Sequence, residues 1–265
     1  MKIHSTVIIE GNITFEGDCE IGPYSVLVGN IKIGDRTVIG SHSRIEGNVL
    51  IGNNNFIGPF VYIGGLPQDV SYKNEESAIQ IGDNNIIREY VTIHRATGEG
   101  KATIVGNNNF IMAYAHLAHN VRLGSNCVIV NAAQLAGYVE VDDHAFISGL
   151  VGIHQFTRVG GYSIIGGGVK LSQDALPYMM VAGEPPRVVG LNVVGLRRKK
   201  FDSERIRILK KIFQILCRQG LALPDAIERI KADLPATDDV KYILDFISTS
   251  RRGILRRSSN DAEEI

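Results

Sequence analysis

The sequence lacks several features that would place it in other classes of protein. It has no tryptophan, three cysteines and a formal net charge of zero over 265 residues. A zero net charge provides no chain-wide basic field for holding nucleic acid or an anionic membrane surface. No apolar run approaches the roughly 20 residues of a membrane-spanning helix, and the first residues do not have the pattern of a secretory signal. We therefore expect no nucleic-acid partner and no membrane span.

The few cysteines also point to a compartment. Cys19, Cys127 and Cys217 stand far apart, and no two of them form a C-x-x-C pair. An odd, scattered set argues against a disulfide framework and suits a reducing environment. We predict a cytoplasmic protein.

Charge and glycine divide the chain into two unlike regions. Residues 1–189 hold 12 Lys and Arg against 17 Asp and Glu, whereas residues 190–265 hold 16 against 11. Of the 29 glycines, 25 precede residue 190, and Pro185 and Pro186 punctuate the boundary. We predict one domain over residues 1–189 and a second over residues 190–265.

A six-residue period dominates the first region. Large apolar residues occupy every sixth position from Ile3 to Ile63, again from Ile81 to Ile93, and again from Val105 to Leu171, 26 positions in one register. A helix repeats near 3.6 and a half-buried strand near 2, so neither alone explains a strict six. The period predicts a coil of very short parallel strands, three per 18-residue turn and about nine turns in all. The register breaks predict loops at about 65–78 and 96–102.

Glycine often follows the apolar position. We expect these glycines to supply turn dihedral angles that other residues reach only with strain. The positions are Gly22, Gly34, Gly40, Gly52, Gly58, Gly64, Gly82, Gly106, Gly124, Gly160 and Gly166.

The second region changes to a helical period. Ile206, Leu209, Ile212, Phe213 and Leu216 lie on one helical face. Asp202 or Ser203 is suited to cap the start of this helix and Gly220 to end it. Two further helices are predicted from about Pro224 to Asp233 and from about Asp238 to Ser248, followed by a frayed tail from about residue 256.

The repeat brings four of the seven histidines to one side of the coil. Residues 18 positions apart stack about 4.8 Å apart along the axis. With six residues of the second loop removed from the count, Ile93, Leu117, Leu135 and Ile153 form one column beside the first loop. The histidines next to this column are His94, His116, His119 and His154.

Three functions remain open on this pattern alone. An imidazole of the cluster can act as a general base on a hydroxyl or amine that attacks an acyl group. Three imidazoles can instead bind Zn²⁺ and activate water, as in a zinc-dependent hydratase, although no fourth strong ligand is evident. A structural β-helix without chemistry is also compatible with the repeat.

Several motifs then narrow the choice. The stretch Ala115-His116-Leu117-Ala118-His119-Asn120 resembles the catalytic segment of the UDP-N-acetylglucosamine acyltransferases of lipid A synthesis, which are hexapeptide-repeat proteins. Further motifs of the same family occur in the same order, and the similarity extends to about residue 256. They are Pro67-Gln68-Asp69, Val91-Thr92-Ile93-His94-Arg95, Leu135-Ala136-Gly137, His154-Gln155-Phe156 and Gly190-Leu191-Asn192 with Gly195-Leu196-Arg197-Arg198.

The resemblance implies a fold and an activity. The fold is a left-handed parallel β-helix followed by a small helical domain. The activity transfers a 3-hydroxyacyl group from acyl carrier protein to the glucosamine 3-position of a UDP-sugar, the first step of lipid A biosynthesis. A homotrimer with active sites between subunits is also implied. A base, an oxyanion donor and a thioester suffice for this chemistry, so we expect no metal and no organic cofactor.

The resemblance also implies roles for single residues. His119 corresponds to the general base, Asn120 to the residue that orients it, and the backbone N–H of Gly137 to the oxyanion donor. Gly167 corresponds to the residue that sets the depth of the acyl channel, and a glycine there predicts a long chain. The implied substrate-binding residues are Gln68, Asp69, His94, His116, Tyr138, His154, Gln155, Asn192 and Arg198.

Four positions depart from the family pattern. Asn120 stands where an aspartate is common, Ser71 where a lysine is usual, Tyr138 where a histidine is common and Val194 where an acidic residue is common. These positions surround the acceptor. We therefore expect the reaction type to hold and leave open whether the acceptor carries a 3-hydroxyl or a 3-amino group.

Overall fold

The computed structural model describes residues 1–256. Most of this length is a three-sided coil whose strands stack in parallel from one turn to the next. Ten strands, the first in each turn, form face 1: β1 (Lys2–Ile3), β3 (Glu20–Ile21), β5 (Val38–Ile39), β7 (Phe56–Ile57), β10 (Ile86–Ile87), β13 (Phe110–Ile111), β16 (Val128–Ile129), β19 (Phe146–Ile147), β22 (Ile164–Ile165) and β24 (Met179–Ala182).

The other two faces share one continuous sheet. Face 2 holds β8 (Tyr62–Gly65), β11 (Thr92–His94), β14 (His116–Leu117), β17 (Gln134–Leu135), β20 (Gly152–Ile153) and β23 (Lys170–Leu171). Face 3 holds β9 (Ala78–Ile81), β12 (Ala102–Val105), β15 (Arg122–Leu123), β18 (Glu140–Val141) and β21 (Arg158–Val159). Three longer strands run across both faces in the first turns: β2 (Ile8–Phe15), β4 (Val26–Ile33) and β6 (Arg44–Ile51).

From Ile21 to Leu171 the apolar residue of each hexad is buried inside the coil, whereas Ile9 in the first turn is 43% exposed. Ile45, Ile63, Ile93 and Leu117 have no exposed surface, and they stack on one another turn after turn. Burial of such a continuous apolar column stabilises the coil at roughly 25 cal/mol per Å². The predicted period-six core is therefore confirmed. The tenth strand of face 1, β24, lies outside the hexad register, which is why the repeat alone predicted about nine turns.

The predicted role of the repeat glycines is wrong. Of the eleven glycines named above, only Gly64 has a positive φ, at 101°. The left-handed conformation at the corners is taken two residues later by other residue types, such as Tyr24 and Asn126. A glycine is needed instead because the next turn lies so close: a Cβ on Gly40 would stand 2.6 Å from the carbonyl carbon of Gly58.

Two connections interrupt the coil, residues 66–77 between β8 and β9 and residues 95–101 between β11 and β12. After β24, strand β25 (Arg187–Leu191) turns back and pairs with it in antiparallel fashion. Strand β25 crosses the predicted domain boundary at residues 189–190, and the division into two domains stays a prediction.

Four helices follow within the described residues: α1 (Val193–Arg198), α2 (Ser203–Cys217), α3 (Leu223–Asp233) and α4 (Asp238–Ser248). The last three were predicted, and Asp202 caps α2 as expected by accepting the N–H of Arg205 at 2.8 Å. Helix α1 was not predicted as a helix. The predicted fold class, a left-handed parallel β-helix followed by a small helical domain, is confirmed.

Polar contacts attach the helices to the coil. The Tyr242 hydroxyl on α4 donates to the carboxylate of Asp142 and accepts the N–H of Gly161 at 2.8 Å. Asp239 accepts a bond from the Tyr178 hydroxyl at 2.8 Å and a two-point contact from the Arg205 guanidinium. These buried groups satisfy one another across the junction.

The end of the described chain is also held in place. Arg256 donates to the carbonyl oxygens of Leu216 and Leu221, both at 2.7 Å. The rest of the predicted frayed tail, residues 257–265, lies outside the described residues.

Candidate active site

The predicted column of histidines is confirmed on face 2. Strand pairing places Ile63 beside Ile93, Ile93 beside Leu117, Leu117 beside Leu135 and Leu135 beside Ile153. The rings of His94 and His116 meet edge to face with centroids 4.8 Å apart. His94 and His119 are only 7% and 5% exposed, whereas His154 is exposed farther along the cleft.

Asn120 holds the His119 ring in one orientation. Its amide oxygen lies 2.9 Å from His119 Nδ1 and also accepts the N–H of Thr97 at 2.9 Å. Its amide nitrogen donates to the Thr97 carbonyl oxygen at 3.0 Å, so the oxygen must face the imidazole. An oxygen at Nδ1 favours a proton on that nitrogen, which leaves Nε2 with a free lone pair.

Gly137 leaves room for the reactive side of this ring. A Cβ on Gly137 would stand 2.4 Å from both Nε2 and Cε1 of His119, so any side chain there would displace the imidazole. The Gly137 carbonyl accepts the N–H of Phe156 at 3.1 Å, and within residues 1–256 the Gly137 N–H has no acceptor. A basic nitrogen and a free backbone donor are thus adjacent.

The two neighbouring histidines are kept neutral. Burial, with smaller effects from His94 and His119, lowers the pKa of His116 to about 4. Its Nδ1 lies 2.7 Å from the hydroxyl oxygen of Thr92. Burial and the nearby His119 also lower the pKa of His94. Both rings can therefore offer hydrogen bonds without carrying charge near neutral pH.

One carboxylate faces His119 from the first loop. Asp69 Oδ2 lies 3.8 Å from His119 Nδ1, and both side chains are largely covered. The backbone N–H and the hydroxyl of Ser71 donate to the other oxygen, Oδ1, at 2.9 and 2.8 Å. These bonds lower the pKa of Asp69, with the Ser71 N–H the largest cause, and keep the carboxylate charged.

An open cavity of about 530 Å³ runs along the cluster. Six of the predicted site residues line it: Gln68, His116, His119, Gly137, His154 and Gln155. His94 lines an adjoining hollow that shares Gln68 and His116 with the first. Asp69, Asn120 and Tyr138 lie behind or beside His119 instead, with the Tyr138 ring edge to face at 5.3 Å.

Three predicted residues lie away from the whole histidine cluster in the single chain. Asn192 caps α1 by accepting the N–H of Gly195 and donates to the Tyr162 carbonyl, and Arg198 is exposed at the end of that helix. Gly167 is exposed at a corner, where an added Cβ would meet only a carbonyl oxygen at 3.5 Å.

The cavity also contains residues that the sequence reasoning missed. Gln134 and Lys170 precede inward residues of the same column and point into the cleft. The hexad count could have found both, because each stands one position before an inward residue. Thr97, which fixes Asn120, lies on the second loop and carried no signal.

A larger cavity of about 670 Å³ lies on face 3 beside Tyr162, Tyr178 and Tyr242. Its one histidine, His144, lies outside the histidine column, and its most buried carboxylate, Asp142, is already bonded to Tyr242. The smaller cavity is the better candidate because basic, neutral and anionic groups converge there.

The zinc alternative is not favoured. Within residues 1–256, no group of three His, Cys, Asp or Glu side chains is arranged to hold a metal ion. The Nδ1 atoms of His116 and His119 face Thr92 and Asn120 instead of a common point.

The described part of the chain contains no helix with the length and apolarity needed to cross a bilayer.

Comparison with known families matches both parts of the chain. The model described as bacterial transferase hexapeptide (six repeats) matches residues 12–47, 30–65 and 102–137. The model described as UDP N-acetylglucosamine O-acyltransferase, domain 2, matches residues 174–255.

Individual proteins are similar over nearly the whole chain. The acyl-[acyl-carrier-protein]–UDP-N-acetylglucosamine O-acyltransferase of Thermodesulfovibrio yellowstonii is 47% identical over 96% of this chain and 99% of its own length. The protein of the same name from Paraburkholderia phymatum is 44% identical, with the same coverage.

Solved structures with the same fold superpose on this chain. The UDP-N-acetylglucosamine acyltransferase of Francisella novicida superposes with a TM-score of 0.92 at 39% identity over 99% of both chains. That of Campylobacter jejuni gives 0.89 at 37% identity over 96% of this chain and 99% of its own.

A hexad coil whose rim carries a histidine beside a glycine N–H defines an acyltransferase of the hexapeptide-repeat class. The identity over nearly the whole chain specifies one family within this class. This chain belongs to the UDP-N-acetylglucosamine acyltransferase family.

Proposed function

We propose that the protein transfers a 3-hydroxyacyl group from acyl carrier protein to the glucosamine 3-position of UDP-N-acetylglucosamine or its 3-amino analogue. The observation that carries this proposal is the free Nε2 of His119 beside the N–H of Gly137. The names of the relatives specify acyl-acyl-carrier-protein and UDP-N-acetylglucosamine for those proteins, and the product would enter lipid A biosynthesis.

The chemistry needs one base and one oxyanion donor. His119 Nε2 takes the proton of the acceptor hydroxyl or amine as that group attacks the thioester carbonyl. The Gly137 N–H bonds to the oxygen that becomes negative, an interaction that can contribute roughly 10²–10³ in rate. The intermediate collapses with loss of the carrier thiolate, which receives the proton back from His119. Asn120 keeps His119 in the required tautomer throughout.

Substrate binding would use the neutral groups along the cleft. His94 Nδ1 is buried and has no partner within residues 1–256, so a hydrogen bond from a substrate would satisfy it. Gln68, His116 and Gln155 present polar groups to the same space. His154, Tyr138 and Asp69 complete the group of proposed binding residues.

We propose a homotrimer with active sites between subunits. From Val38 onward the outward side chains of face 1 are apolar, and Phe56, Ile86 and Phe146 are 43%, 45% and 38% exposed. A flat apolar face of this kind needs a partner, and a triangular prism can pack its sides about a threefold axis. A neighbouring subunit would then bring Asn192 and Arg198 to the nucleotide and Gly167 to the acyl chain.

The carrier protein would dock on the basic helices. Arg205 and Arg207 are already paired, with Asp239 and Glu204. Six further basic residues near these two are exposed: Arg197, Arg198, Lys199, Lys200, Lys210 and Lys211. They suit an acidic partner, because complementary charge speeds encounter.

Within residues 1–256 no disulfide bond is formed, and Cys19, Cys127 and Cys217 are all buried. This supports the proposed cytoplasmic location.

The test is transfer by purified protein, with mixed acyl carriers and with both the 3-hydroxy and the 3-amino acceptor, read by mass spectrometry. We expect an acylated UDP-sugar from the wild type and none from His119→Ala, whose circular dichroism should match the wild type. Equal rates with both acceptors would reject a selective site. Activity that persists in His119→Ala would reject the base.

A further inference from the structure

The position next to the base carries an amide in this chain, so the charge balance of His119 must come from elsewhere. Asn120 orients the ring through Nδ1 at 2.9 Å, but a neutral amide stabilises an imidazolium less than a carboxylate does. When His119 takes the acceptor proton it becomes positive in a nearly buried site. A positive charge there needs a nearby negative one.

Asp69 is the negative group within reach. Its Oδ2 lies 3.8 Å from His119 Nδ1, and its side chain is only 14% exposed. The other groups that face His119 are uncharged near neutral pH: the low-pKa rings of His94 and His116, the amide of Asn120 and the phenol of Tyr138. Burial, followed by the charges of Asp69 and Glu75, raises the pKa of Tyr138 and keeps that phenol protonated.

The first loop is built to hold this carboxylate. Ser71 donates both its N–H and its hydroxyl to Asp69 Oδ1, which turns Oδ2 toward the histidine. The loop therefore holds a charged oxygen on the same side of the ring that Asn120 contacts.

We propose that Asp69 is the positioning residue that balances the charge of His119 during catalysis, with Asn120 reduced to setting its tautomer. The proposal rests on the acyl transfer proposed above. Asp69 acts through His119 and does not touch the reacting atoms in this role.

Asp69→Asn is the direct test, because it keeps the Oδ1 contacts to Ser71 and replaces only the charged Oδ2 with a neutral amide nitrogen. An opposite charge at this distance shifts a titration by roughly 1–3 pH units. We expect the acid limb of the kcat/KM profile to move to lower pH by about 1 unit and kcat to fall about 10-fold to 100-fold. A rise in KM for the UDP-sugar would report the proposed contact of Asp69 with the sugar, whereas the shift of the acid limb reports its charge.

Glu75→Gln is the matched control. It removes a charge from the same loop, where Glu75 bonds the N–H groups of Gly98 and Lys73, and it should leave the acid limb in place. Adding Asn120→Asp to the Asp69→Asn variant returns a carboxylate to His119 Nδ1 and should move the limb back toward the wild-type position.

A second measurement needs no substrate. In histidine-labelled protein without ligands, the chemical shifts of the His119 ring should differ between Asp69→Asn and the wild type, because the carboxylate no longer faces Nδ1. An unchanged acid limb and an unchanged resonance, with a raised KM alone, would make Asp69 a sugar ligand only and overturn the proposal. Absence of acyl transfer in the wild type would instead defeat the proposed function, while the resonance would still report the Asp69–His119 interaction.

Discussion

Gly137→Ala is the smallest substitution that should displace the imidazole ring of His119, the proposed base. The added methyl group would lie 2.4 Å from Nε2 and Cε1 of His119. The ring must retreat by at least about 0.6 Å to reach 3.0 Å, a separation below which real Cβ atoms are essentially never found. The backbone of Gly137 does not require glycine, because its φ is not positive, so the effect comes from the contact alone.

The ring has little freedom to yield. Nδ1 is held 2.9 Å from the Asn120 oxygen, and the Tyr138 ring packs edge to face against the imidazole. A misplacement of about 1 Å can cost roughly 10²-fold in rate. We therefore expect kcat to fall by about 10²-fold, measured as initial rates of acyl transfer. Overpacking costs about 1–3 kcal/mol, and each kcal/mol lowers Tm by roughly 2–4 °C in a chain of this size.

Gly190→Ala is the control. An added Cβ at Gly190 meets nothing within 4 Å, so rate and Tm should stay near the wild-type values. If Gly137→Ala kept kcat within about threefold of the wild type while folded, a base seated against Gly137 could not be the source of catalysis.

Three further predictions concern the acyl channel, the domain junction and the buried imidazole. Gly167→Met should shift the product toward shorter acyl chains, read by mass spectrometry, whereas unchanged selectivity would remove Gly167 from the channel. Tyr242→Phe leaves Asp142 and the Gly161 N–H without their shared partner and should lower the free energy of unfolding by about 1–3 kcal/mol in urea titrations. The folded-state pKa of His116 is lowered to about 4, so as the pH falls the unfolded chain binds that proton first and stability decreases between pH 6.5 and pH 4. Thermal melts over that range should show a smaller loss of Tm for His116→Gln than for the wild type. An equal loss would contradict burial of a neutral ring.

Most of the coil could be predicted from the spacing of apolar residues. Ile93, Leu117 and Leu135 stack as the hexad count requires, since each residue of the period repeats the same environment one turn later. The helical face from Ile206 to Leu216 was found for a similar reason, because a local period reports a local structure. Helix α1 was not predicted because its six residues are too few to show a period.

The glycine pattern was visible, but its cause was not. Spacing alone cannot distinguish a glycine required by its own φ from one required by a neighbouring turn. At Gly40 the constraint is the carbonyl carbon of Gly58, 18 residues away. Only the packed coil reveals that distance.

The amino-acid pattern by itself determined the coil, its helical extension and which histidines share a side, because periodic burial is encoded by residues close in the chain. The tertiary structure alone decided the electrostatics of the site. The contact between Asp69 and His119 joins a loop to a strand edge 50 residues later, and the Asn120 orientation depends on Thr97 in another loop. Neither loop follows the period, so their closure onto the coil, and the charge it brings to the base, exists only in the folded chain.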